Sequence, residues 1–345
     1  MKKNLRLLCL GLAAATFTAG FAQAENVTSK LKNADMEQGI KYWGIDGETN
    51  IWGKNTKTHN PGYTNRVGYH GMNNGVLENW KGSITSGLAD NAISQTVIKI
   101  PSGTYVFGAY IAASKQDTVL NKEEIVGVTL FANDAAVPVA TENPDKNQKE
   151  THSAKFNVAV KVTDGTLNVG LKAESTNANF LVWDNATLYY FGDMDEAAAL
   201  NEMAKIDLAG VVAIADTILA HKLQNDSAAY LNEAREAALA VTTADAAWNA
   251  SQELYWAISF AHRSMGDYRN FNNAINSAKE VVAKEWSEYV EEAVAQLNEL
   301  IAEAEGIYVA GEADRAVLNE KKAEMNEVKA GVELDSAYTK QEELY

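Results

Sequence analysis

Two periodicities divide the chain. Ile93-Ser94-Gln95-Thr96-Val97-Ile98-Lys99-Ile100 alternates apolar and polar positions, Pro101-Ser102-Gly103 interrupts, and Thr104 to Ile111 resumes. A period of two puts alternate side chains on one face, which predicts strands bounded by turns. Further strands are predicted at 125–132, 154–162, 165–173 and 180–191, with Asp164-Gly165 as a hairpin turn between two of them. From Asp195 the period lengthens: Leu200, Met203, Leu208, Val211, Ile214 and Ile218 recur at helical spacing, as do Leu297, Leu300 or Ile301, and Ala304. Punctuation changes at the same place, since all four prolines precede residue 145 and only five of 23 glycines follow Gly192.

Short strands without intervening helices predict an antiparallel β-sandwich, a jelly roll, over 25–192. An all-α region follows it. There Ala215–Ala220 resembles Ala278–Ala283, Tyr230–Ala234 resembles Tyr289–Ala293, and Ala244–Ala247 resembles Ala313–Ala316, in the same order. Such a repeat predicts two three-helix units, at 195–266 and 267–331, with 332–345 as a C-terminal tail. Asp226-Ser227, Thr242-Thr243 and Ser287 are the expected N-caps, and Gly266 and Gly306 the expected stops.

The first residues set the compartment. Lys2, Lys3 and Arg6 precede an apolar run to Phe21, and Ala22-Gln23-Ala24 has the form of a cleavage site, so 1–24 reads as a signal peptide. The protein is expected to be exported, to the periplasm, the cell surface or the medium. No later apolar run is long enough for a membrane span. Cys9 is the only cysteine and leaves with the signal, which excludes disulfides, thiolate metal sites and cysteine nucleophiles from the mature chain. The formal charge is −16, and removing the three positive charges of Lys2, Lys3 and Arg6 takes it to −19, a poor surface for nucleic acid.

Two resemblances add to this reading. Asn33-Ala34-Asp35-Met36-Glu37-Gln38-Gly39 followed by Trp43 resembles the opening strand of galactose-binding-like jelly rolls, the fold of many carbohydrate-binding modules, with Met36 where a phenylalanine is usual. Ser94-Gln95-Thr96-Val97 with Ile100 to Tyr105 resembles a hairpin of the same modules, and Asn179 to Tyr190 resembles their closing strand. The helical repeats are similar to FIVAR-type three-helix units of secreted bacterial proteins. Together they imply a secreted or surface protein that engages glycans; fold alone licenses no activity. The first resemblance also implies a structural calcium shared by Glu37 and Asp184, with oxygen ligands suited to that hard cation. The alternative is that Asp184 and Asn185 hydrogen-bond loop backbone without a metal.

Sugar binding needs a flat aromatic face with polar groups beside it. The loop-rich stretch from Gly44 to Ser86 offers Trp52, Tyr63, Tyr69, His70 and Trp80, with Asn73, Asn74 and Glu78 as polar companions. Core packing competes for each aromatic; Lys81-Gly82 after Trp80 suits a plug as well as a platform. Trp43 and Trp183 are expected in the core, and Trp248, Tyr255, Trp256 and Trp286 as core anchors of the helices. The five histidines show no ligand spacing, and neither G-x-S-x-G nor a P-loop is present. The expectation is a non-catalytic glycan-binding protein whose helices act as spacer or contact surface. The rivals are a structural or adhesion protein that binds a second surface protein through its helices, and a glycosidase built on two carboxylates.

Overall fold

The computed structural model describes residues 24–47, 52–55, 71–72, 75–82, 86–115, 124–139, 153–286 and 290–342. The predicted signal, apart from Ala24, lies outside them. One antiparallel sheet contains β1 (Glu25–Asn26), β3 (Trp52–Asn55), β4 (Val76–Trp80), β6 (Gly103–Ser114), β9 (Ala154–Val162) and β11 (Phe180–Tyr190), in the order β3-β4-β11-β6-β9, with β1 paired to the end of β11. The other contains β2 (Gly44–Gly47), β5 (Asn91–Ile98), β7 (Val128–Ala132), β8 (Ala135–Pro138) and β10 (Thr166–Ala173), in the order β2-β5-β10-β7-β8. Ile93, Leu130, Leu167 and Leu171 from the second sheet meet Phe107, Ile111, Leu181 and Trp183 from the first in one continuous core. This is the expected sandwich of two antiparallel sheets.

Two of the predicted turns act differently from expectation. Gly165 has φ +75 and the Thr166 amide donates to Asp164 Oδ1 at 2.9 Å, so the turn chemistry is present. Yet β9 and β10 belong to different sheets, as do β5 and β6 around Pro101–Gly103. A turn residue fixes a reversal of the backbone, not the partner of the strand that follows; in a sandwich the reversed chain can cross to the facing sheet. Consecutive strands do pair in β7–β8, which turns at Asn133 with φ 49, and in β3–β4.

The opening motif is a knot of turns rather than a strand. Asn33 is its hub: Nδ2 donates to Gly39 O at 2.8 Å, Oδ1 accepts from the Gln38 amide at 2.8 Å, and the backbone carbonyl accepts from Trp43 Nε1 at 3.1 Å. Met36 is fully buried, and Trp43 stands edge-on to Trp183 at 4.9 Å between centroids. The motif's asparagine, apolar residue, glycine and tryptophan therefore close a loop onto the core.

β6 is buried along almost its whole length on both faces. One face joins the sandwich core, and the helical region covers part of the other. Val106 and Ala159 of the sheet and Phe191, just after β11, pack with Ala199 and Met203 of α1 (Glu196–Leu219) in a separate buried cluster. Asp195 caps α1, accepting from the Ala198 amide at 2.9 Å. The preceding segment is tied to β6 by Thr104 N to Gly192 O at 2.7 Å and Phe191 N to Thr104 O at 2.8 Å.

The helices continue with α2 (Asn225–Leu239), α3 (Ala244–Val282), α4 (Glu291–Ala310) and α5 (Arg315–Glu342). α1, α2 and the first half of α3 enclose one apolar core around Val211, Leu231 and Leu254. The second half of α3 encloses another with α4 and α5, around Phe271, Leu297 and Leu318. The stop expected at Gly266 is corrected, because α3 runs through it, with Met265 packed against the first core and Tyr268 in the second. A glycine inside a helix costs only about 1 kcal/mol relative to alanine, less than the packing on either side of Gly266 supplies. Gly306 likewise lies within α4, which ends instead at Gly311 with φ +73. The expected tail at 332–345 is also corrected: α5 continues to Glu342, and Val332 is fully buried in the second core. Of the expected caps, Thr243 holds the N-cap position of α3 without a side-chain bond, Asp226 lies inside the first turn of α2, and Ser287 is outside the described residues.

Candidate functional site

The aromatic candidates separate by exposure. Trp52, on edge strand β3, is only 5% exposed, and its Nε1 donates to Asn91 Oδ1 at 2.8 Å. That corrects its expected role: an indole buried in the core with its N–H already bonded offers no face to a ligand. Trp43 and Trp183 are buried as expected. Trp80 is 58% exposed and is the one sandwich tryptophan that faces out. The plug role is excluded for it.

Strand register explains the difference. Trp52 pairs with Asn79 in the row that includes Leu181 and Ala113, all buried in or beside the core, whereas Trp80, one residue on, falls on the opposite face, beside Phe180 and Ser114. Phe180 is buried under it and joins Met72, Val76, Ala112 and Val182 in an apolar cluster on that outer face. Trp80 ends its strand next to Lys81, whose amide donates to Asn179 O at 2.8 Å, and Gly82 lies against its ring. Glu78, two residues before Trp80 on the same face, is half-buried. Tyr63, Tyr69, His70, Asn73 and Asn74 lie outside the described residues.

Glu37 bonds one neighbouring stretch directly, and Asp184 bonds the Asn185 that holds it. Glu37 Oε1 accepts from the Gly75 amide at 2.9 Å. Asp184 is fully buried on β11, and its Oδ1 accepts from the Asn185 amide at 2.7 Å. Asn185, at a β-bulge with φ 49, donates its side-chain amide to Gly71 O. Gly71 has φ +67 and lies so close to the ring of Tyr110 that a Cβ would collide with it. These bonds give Glu37 and Asn185 a loop-tying role. Calcium takes six to eight oxygens, and among the described residues no group of three or more His, Cys, Asp or Glu side chains comes together.

Two exposed aromatic features were not anticipated. Tyr42 is 49% exposed, has φ 74, and carries Lys32 and Lys41 Nζ at 5.4 and 4.9 Å from its ring centre. Its place before the motif tryptophan was the available signal. On the helices, Tyr255 is buried as expected and Trp286 is half-buried, with Nε1 bonded to Val281 O at 2.8 Å. Trp248 departs from the expected core role at 46% exposure. Phe260, 40% exposed, gathers Trp256 and Tyr230 at 6.1 and 5.8 Å between ring centres. A charged helix face around them gave no hint of the patch.

No family model matches the chain, and no curated protein matches it. Solved structures do. A carbohydrate-binding module, TmCBM61, in complex with β-1,4-galactotriose is 18% identical, with 47% of this chain and 97% of that chain covered and a TM-score of 0.34. A cyclase from Fischerella sp. TAU is 16% identical, covering 50% of this chain and 100% of its own, with a TM-score of 0.34. The K1 cleaved adhesin domain of Lys-gingipain from Porphyromonas gingivalis W83 is 15% identical, covering 49% and 98%, with a TM-score of 0.31. A binding module, an enzyme and an adhesin domain thus stand side by side, at similarities that assign this chain no activity.

Proposed function

We propose that this protein is a non-catalytic glycan-binding protein, exported after loss of residues 1–24, and that Trp80 is its stacking platform. The observation that supports the reading is the exposure of Trp80 at 58%, when Trp43, Trp52 and Trp183 are at most 5% exposed. Three tryptophans serve the sandwich core; the fourth presents an indole face to solvent at the end of β4. A pyranose stacks its C–H face on such a ring, and Lys81 and Glu78 lie within two residues of Trp80 to meet hydroxyls. Tyr63, Tyr69 and His70 complete the proposed site from the stretch that precedes β4. Calcium at Glu37 and Asp184 belongs to the same proposal, as a stabiliser of the loop they support. The jelly-roll and FIVAR-type descriptions of the two regions are likewise part of this reading.

A glycan array probed with the mature protein tests it. The reading requires a bound oligosaccharide whose signal falls in Trp80→Ala. An array without any specific signal sinks it.

The rival reading, a helical surface that binds another surface protein, draws support from the exposed Trp248 and from Phe260 with Trp256. Pull-down with Phe260→Ala beside the wild type separates the two: loss of a protein partner in that variant, with glycan binding intact, assigns the helices a contact role.

A further inference from the structure

The two helical cores meet along α3, and a cleft of about 480 Å³ opens at their junction. The end of α1 contributes His221 and Lys222, the middle of α3 contributes His262, Gly266 and Arg269, and α4 contributes Tyr308. The volume is in the range of small-molecule sites. Four side chains on its wall are basic and none is acidic, in a chain whose formal charge is −16.

Several basic side chains elsewhere on the helices are paired with acids. Arg235 pairs with Asp216 and Glu236, Lys279 with Glu305, and Lys321 with Glu303 and Glu324. Among the described residues Arg269, His221 and His262 have neither an ion pair nor a side-chain hydrogen bond. Asp267, two residues from Arg269, is already taken up by Gln224 Nε2 at 3.0 Å and by Arg315 at 3.4 Å. Lys222 donates to Val309 O at 2.9 Å and lies over the Tyr308 ring at 5.3 Å, which leaves two of its three N–H groups.

Helix ends account for part of this. His221 and Lys222 follow the C-terminus of α1, and Lys222 also caps α4, places where a cation is favoured by the helix dipole. His262 and Arg269 lie in the middle of α3 and have no such reason. They are seven residues apart, two turns along one face, and so point to the same side.

We infer that this cleft binds a small oxyanion-bearing ligand, a carboxylate, sulfate or phosphate, through Arg269, His262 and Lys222. The guanidinium supplies a planar pair of N–H donors, the ammonium a point charge, and the imidazole a donor that gains a positive charge when an anion is present. Gly266 leaves the floor of the cleft without a side chain. This site is separate from Trp80 and does not depend on the glycan reading.

Titration calorimetry of the full mature chain with inorganic phosphate, inorganic sulfate, a uronic acid trisaccharide and a neutral trisaccharide tests the inference. Saturable binding of at least one anion is expected, weakened tenfold or more in Arg269→Gln and in His262→Gln, and unchanged in Lys279→Gln. Tighter binding of the uronate assigns an acidic saccharide, and tighter binding of the inorganic ions assigns a phosphate or sulfate ester; either supports the site. Absence of saturable binding of all three anions at millimolar concentration overturns it. So does binding that Arg269→Gln and His262→Gln, confirmed folded by circular dichroism, leave unaltered.

Discussion

Tyr110 of β6 and Tyr255 of α3 share a hydroxyl–hydroxyl hydrogen bond, with their rings edge-on at 5.9 Å between centres and 85° between planes. The pair joins the sandwich to the helical region. Burial pushes the phenol of Tyr110 well above its ordinary range, and burial with the neighbouring Tyr110 does the same to Tyr255, so both stay neutral. The Tyr110 hydroxyl bonds that of Tyr255. Tyr255→Phe is expected to destabilise the protein by about 1–3 kcal/mol, the cost of a buried hydroxyl left unpaired. The double change to phenylalanine should recover part of that loss, and a double-mutant cycle by chemical denaturation measures it.

Beside this pair, Lys155 of β9 and Asp207 of α1 form an ion pair whose side chains are 11% and 12% exposed, and Asn157 Nδ2 adds a bond to Asp207 Oδ2 at 2.7 Å. Removing one charge strands the other under the helices. Asp207→Ala is expected to cost about 3–5 kcal/mol, whereas Lys155→Met with Asp207→Leu should lie close to wild type. Urea unfolding of the three variants checks the order.

The same junction bears on separability. Residues 25–192 expressed alone would expose Val106, Ala159 and Phe191, which α1 now buries with Ala199 and Met203. That fragment should bind a hydrophobic dye and unfold at a lower temperature than the sandwich within the full chain. A fragment as stable as the full chain would show that the helices only space.

The sequence carried a sign of this contact. Thr104 to Ala113 contains ten consecutive apolar or small residues, a run too continuous for a strand with one wet face. The alternation in β5 was legible because only one of its faces is buried, and β9 and β10 were legible within a residue because turn residues bound them. Sheet membership was not, since Asp164-Gly165 dictates reversal and leaves the partner to the core. The matched segments of the helical region fall at the end of α1 and of α3, in α2 and, for the described residues, at the start of α4, and at the starts of α3 and α5. Sharing of α3 between the two cores was hidden by Gly266, which breaks a pattern on paper without breaking the helix. At the candidate site, tryptophan alone does not tell platform from core; one residue of register puts Trp52 inside and leaves Trp80 outside.

Burial, and after it the neighbouring His221, holds His262 below its ordinary range. The unfolded chain takes up a proton near pH 6.5, while the folded chain resists it until lower pH. Stability from this group is therefore complete above about pH 6.5 and lost as pH falls through the folded value. The melting temperature should drop between pH 7.5 and 5.5, and drop less in His262→Gln. An equal slope in that variant would assign the dependence to other groups.

Calcium is tested by melting. If it bridges Glu37 and Asp184, millimolar calcium raises the melting temperature by mass action and chelator reverses the shift. The shift should vanish in Glu37→Gln. No change beyond that of a control salt at equal ionic strength would leave these carboxylates with loop-tying alone.

On the proposed function, Trp80 meets the ligand and Trp52 does not. Calorimetric titration of the array-selected oligosaccharide into wild type, Trp80→Ala and Trp52→Phe, each with a melting curve, tests it most directly. Trp80→Ala should weaken binding at least tenfold, about 1.4 kcal/mol, with its melting temperature within a degree or so of wild type, as for a surface substitution. Trp52→Phe should lower the melting temperature through the lost bond to Asn91 and bind as the wild type does while folded. Unchanged affinity in Trp80→Ala, or lost affinity in a fully folded Trp52→Phe, would remove Trp80 from the binding site.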